Sequence, residues 1–483
     1  MKAAPQPAVV TTPRPRFPRA ARPLQVAVVG AGWAGMAAAV SAAERGHHVT
    51  VYEAGRLPGG RARSLPVSTD DGAVLPLDNG QHILIGAYTR TLDLMAHVGV
   101  APQEHLLALP LELRFPDGNG LQMPGWARGW PAPLDALASI AHAPGWSGGE
   151  RLALLARALR WRMTGFQCAD NDTVAEVCRG LPDRVIDEFI QPLCVSALNL
   201  PAAQASGTVF LRVLSDAMTG RGHPPWSPST LLVPRTDLGT LFPMSAVQWL
   251  ARHHRARFEL HAGTRVVALR PNEGAWVIET LHTGPLAERR FDRVVWATAC
   301  GPAAQALRAV GVALEGRSGS PALQDGLLTW AERANALDFT AITTVYAQTD
   351  PAWRLPRPML ALRSEPESAQ DPAQFVFDRG QLQPDDPRLR GVLAFVASDS
   401  EGDREQLEAR VLDQARRQLG LQALRPLQTV VEKRATFACT PGLIRPPTQA
   451  APGLLMAGDY IDGPYPATLE GAVRSGLTAA ARL

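Results

Sequence analysis

A six-residue apolar run, Leu24–Val29 (LQVAVV), leads directly into Gly30, Gly32 and Gly35, spaced G-x-G-x-x-G. A short unbroken apolar run of this kind reads as a strand buried on both faces, and Met36–Arg45 then reads as a helix. At such a strand-to-helix turn each glycine has a separate task. Gly30 makes the tight turn, Gly32 lets the backbone approach a pyrophosphate, and Gly35 lets helix and strand touch. The helix N-terminus adds unpaired N–H groups and the positive end of a dipole for the phosphates, and Trp33 and Ala34 within the glycine loop are expected to bind the cofactor with it. Alone, the glycines could equally mark a buried Ala/Gly-rich helix. The next segment, HHVTVYEA, is a second strand ending in Glu53, 23 residues after Gly30. An acid at about 20 residues is placed to accept the ribose hydroxyls. Strand, loop, helix, strand and acid in this order predict dinucleotide binding.

Two further segments select the dinucleotide. LPGGRARS brings a second glycine turn, Gly59-Gly60, and the cation Arg61 toward the same phosphates. Near the other end, GLLMAGDYIDGPYPATLEGAVRSGLTAA reads as a strand, then Gly458-Asp459, a loop, and a helix starting near Thr468. An acid at a strand end, followed by a helix aimed inward, suits a flavin's ribityl chain and pyrimidine edge. The expected cofactor is therefore FAD. No second strand–GxGxxG–helix unit occurs, since Gly118-Asn119-Gly120 follows Asp117 in a turn-rich hairpin tip. Electrons for a reduction must then come from an outside donor, or through a transient visit to the flavin.

A chain of 483 residues implies two or three domains. Residues 24–90, 235–305 and 450–483 are expected to meet in a discontinuous, Rossmann-like α/β FAD domain. The inserts 91–234 and 306–449 are expected to build an α+β substrate domain. TRVVAL, AWVIET and DRVVWA read as a central β-meander. PDGNG (116–120) reads as a hairpin tip, and EQLEARVLDQARRQLG (405–420) as an amphipathic helix with Leu407, Val411, Leu412 and Leu419 on one face. Residues 1–23, rich in Pro and Arg without an apolar h-region, read as a disordered leader rather than a signal peptide. The net charge of +3 gives no case for nucleic acid. Five scattered cysteines without a CxxC pair argue against disulfides or a metal site and fit a reducing cytosol. No window approaches the ~18 apolar residues of a spanning helix.

The blocks VAVVGAGWAGMAAAVSAAERGHHVTVYEAGRLPGGRARS and AGDYIDGPYPATLEGAVRSG resemble the FAD-dependent amine oxidase and carotenoid desaturase superfamily. FDRVVWATA resembles its strand returning to the cofactor, and GTRVVAL the strand whose backbone, at Val266, meets the adenine. LDNGQHILIGAYTRTLDLMAHVG, QPLCVSALNLP, LGTLFP and EKRATFACTPGLIRP are similar to the hydroxysqualene dehydroxylase branch. The resemblance implies that the allylic hydroxyl of hydroxysqualene is replaced by hydrogen, giving squalene for hopanoids or related triterpenes. KRATF is also similar to plant-type desaturases, which leaves a carotenoid or diapophytoene desaturase as the enzymatic alternative. A non-catalytic isoprenoid carrier on the same fold is the alternative from another class. The retained Gly30, Gly32, Gly35, Glu53, Arg61 and Asp459 disfavour the carrier.

Hydroxide leaves poorly, so the chemistry requires an acid at the oxygen, hydride from reduced flavin, and a dry cavity. His82 of DNGQH is the first candidate acid, against a turn-holding His. Tyr465, between two prolines, is a candidate flavin-facing aromatic, against a packing role in a rigid loop. Asp78 reads as a turn or cap with Asn79-Gly80, Lys433 and Arg434 as surface charges at a strand end, against contact with the cofactor or with a counter-charge network for the cation, and His47 and His48 as structural. Trp126, Trp130, Trp146 and Trp161 fall within 36 residues, interleaved with Arg128, Arg151, Arg157, Arg160 and Arg162. They read either as a Trp-rich core or as a peripheral contact with the inner face of a membrane, where a C30 isoprenoid is collected.

Overall fold

The computed structural model of the chain describes residues 17–68, 72–281, 287–315, 321–364 and 370–483. Gln25–Val29 stands at the middle of a six-stranded sheet. His48–Glu53 and then Phe258–Ala262 lie on one side of it; Arg293–Trp296, Leu454–Met456 and Gln449–Ala451 lie on the other. All neighbours pair in parallel except the last edge strand. Val26, Ala27 and Val28 are fully buried because helix Trp33–Glu44 covers one face and the antiparallel strands Arg265–Asn272, Ala275–Leu281 and Ala287–Phe291 cover the other, which is what the unbroken apolar run requires. The chain leaves the central strand toward one side and later returns on the other. That reversal opens a crevice at the carboxyl ends of the strands.

The helix over the crevice is Trp33–Glu44, beginning three residues before the expected Met36. It is buried almost all round, because the small residues of GMAAAVSAA let a second helix, Leu469–Ala481, lie directly on it. A Cβ at Gly476 would stand 2.1 Å from the Ala34 carbonyl oxygen, so only glycine permits this approach.

The expected meander is corrected in its third strand. Arg265–Asn272 and Ala275–Leu281 pair with Ala287–Phe291, and DRVVWA instead joins the parallel sheet beside Gln25–Val29. Val294, Val295 and Trp296 are buried, which suits a two-faced sheet rather than the solvated edge of a meander. Of the expected leader, residues 1–16 lie outside the described residues. Phe17 and Ala20 are docked rather than free: the Phe17 ring stands 5.3 Å from that of His97, and the Ala20 N–H donates to the Arg45 carbonyl.

The inserts supply a five-stranded antiparallel sheet, ordered Met359–Ala361, Phe375–Asp378, Val392–Ser398, Phe339–Gln348 and Arg425–Phe437. Helix Arg404–Leu419 packs on it through Leu407, Val411 and Leu412. Helices between Leu134 and Thr219 form the remaining wall. PDGNG turns the hairpin between Leu113–Arg114 and Gly120–Leu121.

Candidate functional site

A cavity of about 860 Å³ runs from the carboxyl ends of the parallel strands to the inner face of the five-stranded sheet. That size lies within the range of small-molecule and cofactor sites. At its deep end Gly30 has φ +104°, and a Cβ there would stand 2.6 Å from the Ala297 carbonyl oxygen. Gly32 caps helix Trp33–Glu44 without any side-chain hydrogen bond, and the first turn carries no acid. The helix therefore presents free N–H groups and its positive end to the cavity. The bare Cα of Gly60 faces Gly32 across the mouth of this turn, and both residues line the cavity with Trp33 and Ala34.

Glu53 also lines the cavity. The Ala31 and Gly55 backbone N–H groups each donate to one of its carboxylate oxygens at 2.7 Å, which fixes the acid at the end of its strand. Each oxygen keeps a second lone pair for a ribose hydroxyl. Val266 forms part of the wall beyond it, next to Thr264 and Val267. Glu53→Ala should weaken FAD affinity roughly 10- to 150-fold, from about 1.5–3 kcal/mol for hydrogen bonds to a charged acceptor. Equilibrium dialysis of flavin measures this, and unchanged affinity would remove Glu53 from the ribose site.

Arg61 and Asp459 meet at the cavity wall in a hydrogen-bonded ion pair, and Arg61 also donates to the Ala435 carbonyl at 2.6 Å. Burial works against the Arg61 charge, but the Asp459 carboxylate prevails and holds its pKa above the usual value. The Ser475 hydroxyl accepts from the Gly458 N–H at 3.1 Å. Thr468 caps Leu469–Ala481 through its hydroxyl and also lines the cavity.

His82 lines the cavity beside Gln81. Its Nδ1 lies 3.1 Å from the Gly80 carbonyl oxygen. A carbonyl only accepts, so in the neutral ring Nδ1 carries the hydrogen and Nε2 the lone pair. Burial lowers the His82 pKa; the Gly80 bond works the other way, and Arg61 lowers it further. Asp78, expected to cap its own turn, instead accepts from the Leu238 N–H at 2.8 Å beneath the cavity. Burial pushes its carboxyl up to about 7, against the opposing pull of Arg379.

Tyr465 is not part of the cavity lining. Its ring stands edge-on to Tyr88 at 5.8 Å and under the Arg474 guanidinium at 4.9 Å, held by a backbone at φ +60°. Its neighbour Tyr88, the N-cap residue of helix Thr89–His97, does line the cavity, and the sequence reading missed it. Nothing in the spacing of GAYTR distinguishes it from a core tyrosine. Lys433 and Arg434 are exposed, while Glu432, Ala435 and Thr436 of the same strand face the cavity. His47 is structural, its Nδ1 accepting from the Leu24 N–H at 3.1 Å.

The donor set fits a flavin dinucleotide: a side-chain-free helix start for the pyrophosphate, a fixed carboxylate for the ribose, and the Arg61–Asp459 pair further along. A parallel sheet between helices and a small antiparallel sheet, with this crevice and donor set, defines an FAD-dependent oxidoreductase. The chain belongs to the flavin containing amine oxidoreductase family, whose model matches residues 33–483. It is 29% identical to hydroxysqualene dehydroxylase of Rhodopseudomonas palustris over 475 residues, 94% of this chain and 97% of that protein. It is 43% identical to hydroxyneurosporene desaturase of Rhodobacter capsulatus over only 103 residues, 20% of this chain and 19% of that protein. An oxidoreductase structure from Methanosarcina mazei superposes with a TM-score of 0.66 at 14% identity, covering 95% of this chain and 100% of that one. At that identity the superposition speaks for the fold.

Proposed function

We propose that the chain reductively removes the allylic hydroxyl of hydroxysqualene, giving squalene. The observation that carries this reading is the end-to-end similarity to hydroxysqualene dehydroxylase, set against a desaturase likeness confined to about a fifth of the chain. Gly30, Gly32, Trp33, Ala34, Gly35 and Gly60 would hold the pyrophosphate, Glu53 the ribose, and Val266 the adenine. Arg61, Gly458, Asp459 and Thr468 would hold the middle and flavin end. When bound and reduced, the flavin would supply hydride. The rest falls to the protein: hold the alcohol in a water-poor cavity and deliver one proton to the departing oxygen.

His82 is the proposed proton carrier. Its Nε2 takes up a proton and passes it to the oxygen, which leaves as water. A pKa held down by burial makes the imidazolium a minor species at neutral pH but a strong acid once formed. Tyr465, which the cavity does not contain, is not retained in this role. Product analysis tests the reading against desaturation. Under air, the oxidised protein should form no conjugated, coloured polyenes from squalene-type hydrocarbons; their accumulation would favour the desaturase.

Contact with a membrane belongs to the same reading, because a C30 alcohol resides in bilayers. The four clustered tryptophans divide. Trp146 and Trp161 are core residues at 4% and 6% exposure, while Trp126 and Trp130 are exposed at 61% and 43%. Six of the twelve exposed large apolar residues among the described residues fall between Trp126 and Met163. On helix Gly148–Met163, Leu152, Ala156, Leu159 and Met163 form an exposed stripe on one face, with Arg160 and Arg162 alongside. Aromatics, a bare aliphatic stripe and arginines suit an anionic bilayer surface. Among the described residues no helix is long and apolar enough to cross one. The wild type should co-sediment with phosphatidylglycerol-containing vesicles and be released by salt. Trp130→Ser with Leu159→Gln should weaken this at least tenfold, at about 1.5–3 kcal/mol per lost large side chain. A wild type that stays in the supernatant would contradict the contact.

A further inference from the structure

Gln81 sits on the cavity wall next to His82, and its amide is oriented from behind. Arg379, fully buried at the start of helix Arg379–Leu382, donates from Nη1 to Gln81 Oε1 at 2.9 Å. A guanidinium can only donate, so this bond decides which end of the amide faces which way. The oxygen points to Arg379, and the NH2 is left toward the cavity. Its Nε2 has one long contact, 3.5 Å to the His82 carbonyl oxygen, and no other acceptor among the described residues.

Arg379 is an expensive residue to place here. Burying a cation is costly unless it is closely paired. Its nearest acid, Asp78, is 4.0 Å away, and its Nε and Nη2 make no hydrogen bond among the described residues. Its one short bond is the one to Gln81. Tyr346 donates to the Asp78 carbonyl oxygen at 2.9 Å and Leu238 to its carboxylate, so the layer beneath Gln81 is tied to two separate elements. A cation behind the amide oxygen polarises the amide and strengthens its N–H as a donor.

We infer that Gln81 is the residue that recognises the hydroxyl oxygen of the substrate, with Arg379 as its positioning residue. This rests on the dehydroxylation reading. The carbon–oxygen bond breaks, hydride forms the new carbon–hydrogen bond, and the proton carried by His82 leaves with the oxygen as water. A donor aimed at that oxygen stabilises the negative charge that gathers on it as the bond stretches. The product hydrocarbon has no oxygen, so once water has left, the Gln81 NH2 keeps only its long contact to the His82 carbonyl oxygen. Unsatisfied buried donors are costly, which favours product release.

Binding separates this from a structural role without requiring turnover. The oxidised holoprotein is titrated with hydroxysqualene and with squalene, following the flavin absorption band. The wild type should bind the alcohol about tenfold more tightly than the hydrocarbon, the worth of one well-placed hydrogen bond. Gln81→Met, similar in size, should keep its flavin and its squalene affinity but lose the preference. Arg379→Met should lower the preference in parallel where it retains flavin. If Gln81→Met keeps the full preference, or loses both ligands equally, the inference is overturned. Failure of the dehydroxylation reading looks different: photoreduced wild type would bind the alcohol yet convert none of it.

Discussion

Gly35→Ala yields a chain that does not retain FAD. A Cβ at Gly35 would stand 1.9 Å from the Gly30 carbonyl oxygen and 3.3 Å from the Ala297 Cβ. The first contact is with backbone, which no rotamer change relieves. Helix Trp33–Glu44 must then lift from the sheet by an ångström or more, and the N–H groups proposed to hold the pyrophosphate move with it. Overpacking of a tight interior costs about 1–3 kcal/mol or more, and here the displaced groups are the proposed cofactor contacts themselves. Flavin absorbance per mole of protein after reconstitution, read with the melting temperature, checks the result. A yellow, normally melting Gly35→Ala protein would mean that the helix start is not the phosphate site.

His82→Ala should retain flavin and photoreduce normally, yet transfer hydride to hydroxysqualene 10²–10⁴-fold more slowly, the ordinary worth of a positioned acid. Single-turnover oxidation of pre-reduced protein isolates that step. Because burial and Arg61 lower the His82 pKa, the reactive imidazolium grows as pH falls. The wild-type rate should therefore rise as pH is lowered below neutrality, and the variant's should not. The same shift has a stability consequence of definite sign. The unfolded chain takes up this proton near 6.5 and the folded chain only below that, so stability is lost as pH falls from about 6.5 toward the folded value. His82→Gln should remove that part of the acid sensitivity. An unchanged single-turnover rate in His82→Ala would assign the proton to another donor.

The cofactor half of the molecule was legible in the sequence because its constraints are local. Gly30, Gly32, Gly35 and Glu53 lie within one strand–helix–strand unit, and their spacing alone carries the geometry. Arg61 and Asp459 could be named but not joined, since 398 residues separate them. The third meander strand was misassigned because AERRF has no apolar run to announce it, while RVVW looks equally at home in either sheet. Residues of the cavity wall outside the dinucleotide motifs were the least legible. Gln81 is oriented by Arg379, 298 residues away in the chain, and no local pattern marks Tyr88 as a residue of the cavity wall. Tyr465 was drawn into the site by its proline neighbours, whereas its left-handed backbone turns the ring onto Tyr88 and Arg474. The tryptophan cluster could not be divided by periodicity, because Trp161 and Leu159 share one helix yet face opposite environments.

The most direct test is anaerobic. The FAD-loaded protein is photoreduced, freed of other reductants, and mixed with one equivalent of hydroxysqualene while flavin absorbance and product mass are followed together. The expected result is reoxidation of one flavin for each squalene formed, with no nicotinamide present. Flavin that stays reduced while the alcohol remains intact would contradict the assignment.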